Sequence, residues 1–302
     1  MCPNCRAFIT TNDKVCPYCE VQLAKKAVVQ NDSSEAIGGL IPHHRFTTVC
    51  ILLINTGLYI ATVLYSMKNG HAASGDLDSN TLYDFGAKFQ TIWTGQWWRL
   101  ITAGFLHGGL MHILMNSWVL WDIGTQVEQS YGTSRYLVIY LVSTITGFLG
   151  SLLWAPLVLS IGASAGIFGL FGAMIALGLR DRSAYGAAIR QMYMRWAGLC
   201  LVLGILPALF GISFMDNAAH IGGITGGFVV AYIAGTPKFS HMVEAIWRGA
   251  CGVMLAITAL AFVQMFLSLA GQKPLYGRAC SLRTRPTLAS TAPTAPDPRP
   301  AR

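Results

Sequence analysis

Seven stretches of apolar residues recur along this chain, at about 46–67, 100–121, 134–158, 160–179, 196–213, 217–235 and 246–270. Each is long enough, or nearly so, to cross hydrocarbon as a helix of about 20 residues. Helices of this kind satisfy their own backbone hydrogen bonds, which lipid cannot do for them. The pattern predicts an all-α polytopic membrane protein. Polar sequence flanks the apolar region on both sides. Residues 1–24 form a small cysteine-containing module, 25–45 read as a linker, and 271–302, rich in Pro, Thr, Ser and Arg without apolar periodicity, read as a disordered basic tail.

Composition agrees with lipid as the solvent. The 302 residues are 53% hydrophobic and only 11% charged, against about a quarter charged in soluble domains. The net charge is +8, but the cations lie mainly between the apolar runs. That arrangement suits topology signals and contacts with anionic lipid headgroups, so no nucleic-acid partner is expected. Lys25, Lys26 and Arg45 precede the first segment, and Arg180, Arg182, Arg190 and Arg195 follow the fourth. A cytoplasmic N-terminus puts both clusters inside. Seven crossings then leave the basic tail outside, against the same tendency. The polar first forty residues lack the apolar region of a cleavable signal, so the first span is expected to act as its own insertion signal. A bacterial plasma membrane is the simplest location.

Two CxxC pairs, Cys2/Cys5 and Cys16/Cys19, are separated by ten residues. Four thiolates on two short knuckles match the closed tetrahedral site that structural Zn²⁺ prefers. A segment this short has no core of its own, so the metal would supply most of its folding energy. A reducing compartment disfavours the alternative of two disulfides. The module looks like a zinc ribbon that contacts a protein partner or the substrate. Cys50, Cys200, Cys251 and Cys280 are scattered and read as packing residues.

Polar groups at membrane depth are costly, and each is a functional candidate. Four stand out: His112 and Asn116 in the second segment, Ser164 in the fourth and His220 in the sixth. These even-numbered segments run in one direction. Counted at 1.5 Å per residue from the aromatic stretch 93–98 and from the segment starts, the four share one layer. His112 and Asn116, at i and i+4, project from one face. His220 shares a face with Gly223 and Gly227, and the fourth segment presents Ala165, Gly169, Gly172, Ala173 and Ala176. Small residues on both sides predict close backbone approach, which brings Ser164 to His220. Serine needs a base to become a nucleophile, and imidazole suits that role. His112, Asn116 and the Ser164 N–H are candidate donors to an oxyanion. Asp216 reads as a helix N-cap rather than as a third catalytic member.

Trp98-Arg99, His107-x4-His112-x3-Asn116, Gly162-Ala163-Ser164-Ala165 and Ala219-His220-Ile221-Gly222-Gly223, in that order, resemble the rhomboid intramembrane serine proteases. The likeness covers about 46–235. It implies a six-helix protease core, with 246–270 as an extra seventh helix, and a serine endopeptidase that cleaves transmembrane segments of other membrane proteins without a catalytic cofactor. It further implies Ser164 as nucleophile, His220 as base, and His112 and Asn116 as oxyanion stabilisers. Phe168 corresponds to an aromatic packed on the base and Glu128 to a structural acid. Residues 68–99 correspond to a long external loop anchored in the interface by Trp93, Trp97, Trp98 and Arg99. One departure is Ala165, where a glycine commonly follows the nucleophile; Gly166 comes next. An inactive relative would be expected to lack Ser or His, and a transporter to show paired carboxylates in its spans. Neither pattern is present.

Overall fold

A computed structural model describes residues 15–16, 19–20, 45–70, 77–210, 215–237 and 240–271. Its helices are α1 (Phe46–Lys68), α2 (Ser79–Asp84), α3 (Arg99–Thr102), α4 (Leu110–Trp154), α5 (Ser164–Arg180), α6 (Ala184–Leu209), α7 (Asn217–Ala234) and α8 (His241–Ala270). Short 3₁₀ turns occupy Gln90–Thr94 and Ala103–Phe105. Among the described residues there is no strand; an isolated antiparallel bridge joins Lys88 and Ser160. Helices α1, α4, α6, α7 and α8 are long and apolar enough to cross a membrane, and α5 is a shorter apolar helix. The chain is an integral membrane protein.

Helix α4 runs 45 residues, about twice what the hydrocarbon needs. It is broken at Gly132, whose φ of 76° and ψ of 161° lie outside the helical region, a conformation glycine adopts at low cost. Two arms result. The first starts at Leu110 rather than near residue 100, because Arg99–Phe105 forms a separate short helical piece and the Gly108-Gly109 pair interrupts the chain. Likewise α6 begins at Ala184, where the Ser183 hydroxyl accepts the Gly186 N–H at 3.2 Å. Arg190 and Arg195 therefore sit on a helix and not in a loop.

Helix α7 lies at the centre, and glycines line two of its faces. On one face, a Cβ at Gly223 would press on the carbonyl of Ala165 and one at Gly227 on the backbone of Gly169. From the other side, a Cβ at Gly172 of α5 would meet Phe228 N at 2.8 Å. The second face meets the second arm of α4. Thr146 Oγ1 donates to Gly222 O at 3.0 Å, and a Cβ at Gly147 would lie 2.7 Å from Ala219 O. Backbone therefore touches backbone on both sides, as small-residue packing permits.

The outer elements are tied on by polar and aromatic contacts. Glu128, buried, accepts from the Thr47 N–H at 3.2 Å and from the Thr47 hydroxyl. It also accepts from Thr133 Oγ1 at 2.9 Å, so it links the start of α1 to the break in α4. Helix α8 docks through a bidentate pair, Arg135 to Glu244 at 2.7 and 2.8 Å. Further along, Phe262 meets Phe105 edge-on at 5.3 Å.

Candidate active site

The connection from α4 to α5 carries Gly162 and leads directly into Ser164. Gly162 has φ 125°, a conformation that a side chain would strain, and its N–H bonds Ala103 O at 2.9 Å. A Cβ placed on it would sit 2.8 Å from His112 Nε2 and 3.6 Å from Asn116 Nδ2. The missing side chain thus leaves a small cradle lined by those two residues. Asn116 Nδ2 is buried without a hydrogen-bond partner among the described residues. His112 Nδ1 accepts the Gly108 N–H at 3.4 Å. In the neutral ring that bond assigns the proton to Nε2, the atom that faces Gly162.

Ser164 opens α5 and is half-buried. The N–H groups of a first helical turn have no carbonyl within their own helix, and the positive end of the helix dipole lies there too. Across from it, His220 Nε2 lies 2.9 Å from Ser164 Oγ. His220 is only 2% exposed. Its ring stacks flat on Phe168, with centroids 4.1 Å apart and 2° between the planes. The close α5–α7 contact expected from Gly223 and Gly227 is what brings the two side chains together.

Among the described residues His220 Nδ1 has no hydrogen-bond partner. Asp216 is engaged elsewhere: it caps α7 by accepting the Ala219 N–H at 2.9 Å and accepts from the Ser151 hydroxyl. Its N-cap reading holds. Its link to Ser151, which pins the head of α7 to the second arm of α4, has no signature in the sequence. His107 is fully buried beside this group, its ring edge-on to His112 at 5.1 Å.

The loop before α3 places its aromatic and cationic residues differently. Trp93 and Trp97 are exposed and Trp98 is half-buried, as interface anchors would be. Arg99 is fully buried under the Tyr83 ring, its guanidinium carbon 4.1 Å from the centroid. It donates to Gln96 Oε1 at 2.5 Å and to the carbonyls of Tyr83 and Ala87 at 2.7 and 2.9 Å. A fork of donors matched by acceptors can be buried where an unpaired charge cannot. Sequence reasoning also passed over Lys88, which is buried in the same loop. Burial pushes its pKa below the ordinary lysine value, partly opposed by the charge of Asp216.

Of the four N-terminal cysteines, Cys16 is buried and Cys19 half-buried, while Cys2 and Cys5 lie outside the described residues, so half of the expected metal set falls beyond them. No cluster of three or more His, Cys, Asp or Glu poised for a metal occurs among the described residues.

Residues 94–237 match the Rhomboid domain. The chain is 36% identical over 211 residues to rhomboid protease GluP of Bacillus subtilis, covering 68% of this chain and 40% of that one. It is 39% identical over 160 residues to RHOMBOID-like protein 7 of Arabidopsis thaliana, covering 51% of this chain and 49% of that one. A further Bacillus subtilis relative bearing the rhomboid name, YdcA, is 31% identical over 157 residues, which cover 52% of this chain and 74% of YdcA. The chain thus spans less than half the length of the first two relatives.

Proposed function

The chain belongs to the rhomboid family, and on that premise we propose that it is an intramembrane serine endopeptidase cleaving transmembrane segments of other membrane proteins. The observation that carries the reading is the 2.9 Å approach of Ser164 Oγ to His220 Nε2 beside a cradle of hydrogen-bond donors. Ser164 is the nucleophile. As its oxygen attacks the scissile carbonyl carbon, its proton passes to Nε2 of a neutral His220. The carbonyl oxygen, now negative, enters the space beside Gly162, where His112 Nε2–H, Asn116 Nδ2 and the Ser164 N–H can donate to it. His220 then returns the proton to the leaving amine, and a water attacks the acyl group by the same route in reverse. Phe168 holds the imidazole plane in place of a carboxylate partner. A peptide bond in an intact helix is shielded, so the favoured substrates carry small or helix-weakening residues near the cleavage point.

The same reading assigns seven crossings, the two arms of α4 counting separately, with six forming the protease core and α8 added to it. The N-terminus is cytoplasmic and the membrane a bacterial plasma membrane. The four cysteines Cys2, Cys5, Cys16 and Cys19 form a structural zinc ribbon that meets a protein partner. Four thiolates in two CxxC knuckles suit that ion, and metal analysis of the isolated protein would read about one Zn²⁺ per chain. The reaction itself draws on no metal.

Ser164→Ala and His220→Ala are each expected to abolish cleavage of a co-expressed membrane substrate while the protein still accumulates in the membrane. A fluorophosphonate or isocoumarin probe is expected to label the wild type and not Ser164→Ala. Undiminished cleavage by Ser164→Ala overturns the assignment.

A further inference from the structure

Burying a lysine ammonium costs most of its hydration unless polar partners replace the water. Lys88 is 0% exposed, and its Nζ donates to the carbonyls of Ala155 and Val158, both at 2.7 Å. Ala155 is the C-cap of α4, where orphan carbonyls and the negative end of the helix dipole favour a cation. The backbone of the same residue pairs with Ser160 in both directions. Lys88 N–H reaches Ser160 O at 2.9 Å, and Ser160 N–H reaches Lys88 O at 3.2 Å. A single loop residue therefore grips the α4–α5 connection at Ala155, Val158 and Ser160. Gly162 follows two residues later and Ser164 two after that.

The grip is itself anchored. Arg99 holds the carbonyl of Ala87, the residue just before Lys88, at 2.9 Å, and Thr102 Oγ1 donates to Gly86 O at 2.8 Å. Asp216, at the head of the helix that carries His220, attracts the ammonium electrostatically. Lys88 thus joins two parts, the α3 piece and the connection that delivers Ser164.

We infer that Lys88 is a positioning residue of the reaction, holding the α4–α5 connection so that Ser164 Oγ meets His220 and the Gly162 cradle in register. This builds on Ser164 being the nucleophile, as proposed above. The ammonium touches neither substrate nor reacting atoms; it acts through the carbonyls of Ala155 and Val158.

Full-length protein in detergent provides the test. Lys88→Met keeps the apolar stem and removes all three donors. Its second-order rate constant for fluorophosphonate labelling is expected to fall about tenfold to a hundredfold, the scale of a displacement near 1 Å at a reacting pair. On a transmembrane substrate kcat falls in proportion while KM changes by less than about twofold. Lys88→Arg, which keeps donors and charge, is expected to recover labelling to within about fivefold of wild type. A role confined to stability gives a different result: fewer folded molecules, each labelled at the wild-type rate constant. That result overturns the inference. Where Lys88→Met is not recovered folded, Lys88→Gln takes its place, with an intermediate labelling rate expected and a wild-type rate overturning the inference. A wild type that does not label at Ser164 overturns both this role and the protease reading. A labelled wild type with an equally labelled Lys88→Met overturns this role alone.

Discussion

Adding one methyl group at Gly223 would separate the two residues of the dyad without touching either. The new Cβ would lie 3.0 Å from the carbonyl carbon of Ala165 and 3.3 Å from its Cα, with the carbonyl oxygen nearer still. Comfortable carbon–carbon contact begins at about 3.5 Å. Both partners are helix backbone, so no side-chain rotation relieves the overlap, and α7 must move away from α5 by about 0.5–1 Å. Ala165 adjoins Ser164, and Gly223 lies one turn beyond His220 on the same face. The separation passes almost undiminished to the 2.9 Å Ser164–His220 contact, which at about 3.6 Å is no longer a hydrogen bond. Gly223→Ala is therefore expected to lower kcat on a transmembrane substrate by about ten- to a hundredfold and to cost about 1–3 kcal/mol of stability through overpacking. Gly198→Ala on α6 is the control, because nothing lies within 4 Å of its Cβ position. That change is expected to leave the rate intact and to stabilise α6 by about 0.5–1 kcal/mol. Gly223→Ala with the wild-type rate would refute the claim that backbone contact sets the dyad distance.

Asn116→Ala removes the buried Nδ2 that lacks a partner among the described residues; kcat is expected to fall by about 10²–10³ with KM nearly constant, as measured by steady-state cleavage. Glu244→Gln leaves the guanidinium of Arg135, itself 2% exposed, without its anion. Because Glu244 is 26% exposed, the cost is set at about 2 kcal/mol, below that of a fully buried pair. Thermal unfolding in detergent should show that loss while Ser164 labels at the wild-type rate, since α8 meets the core away from the dyad.

What the sequence disclosed was set by periodicity. His220, Gly223 and Gly227 fall on one helical face, and their spacing alone foretold the contact with the small residues of α5. His112 and Asn116, one turn apart, were likewise legible as a pair, and the structure puts them together at Gly162. Hydropathy misled at Leu100–Leu106, because apolar residues facing a protein core look the same as those facing lipid. The carbonyl partners of Arg99 were not legible for a related reason: acceptors on the backbone of Tyr83 and Ala87 leave no mark in the residue types. Lys88 had no signature at all. Its acceptors are backbone carbonyls 67 and 70 residues away, and every residue type presents a carbonyl. The second glycine face of α7, Gly222 and Gly226 against Thr146, was visible as a four-residue spacing but needed the partner helix to give it meaning.

The backbone-on-backbone contact of α5 with α7 at Gly172, Gly223 and Gly227 also determines how the site fails. Interdigitated side chains can loosen by degrees, each hopping to another rotamer while its neighbours stay put. Two touching main chains have no such intermediate states. The pair stays seated or the whole helix lifts, so heat or detergent should extinguish reactivity in one cooperative step and leave no partly competent enzyme behind.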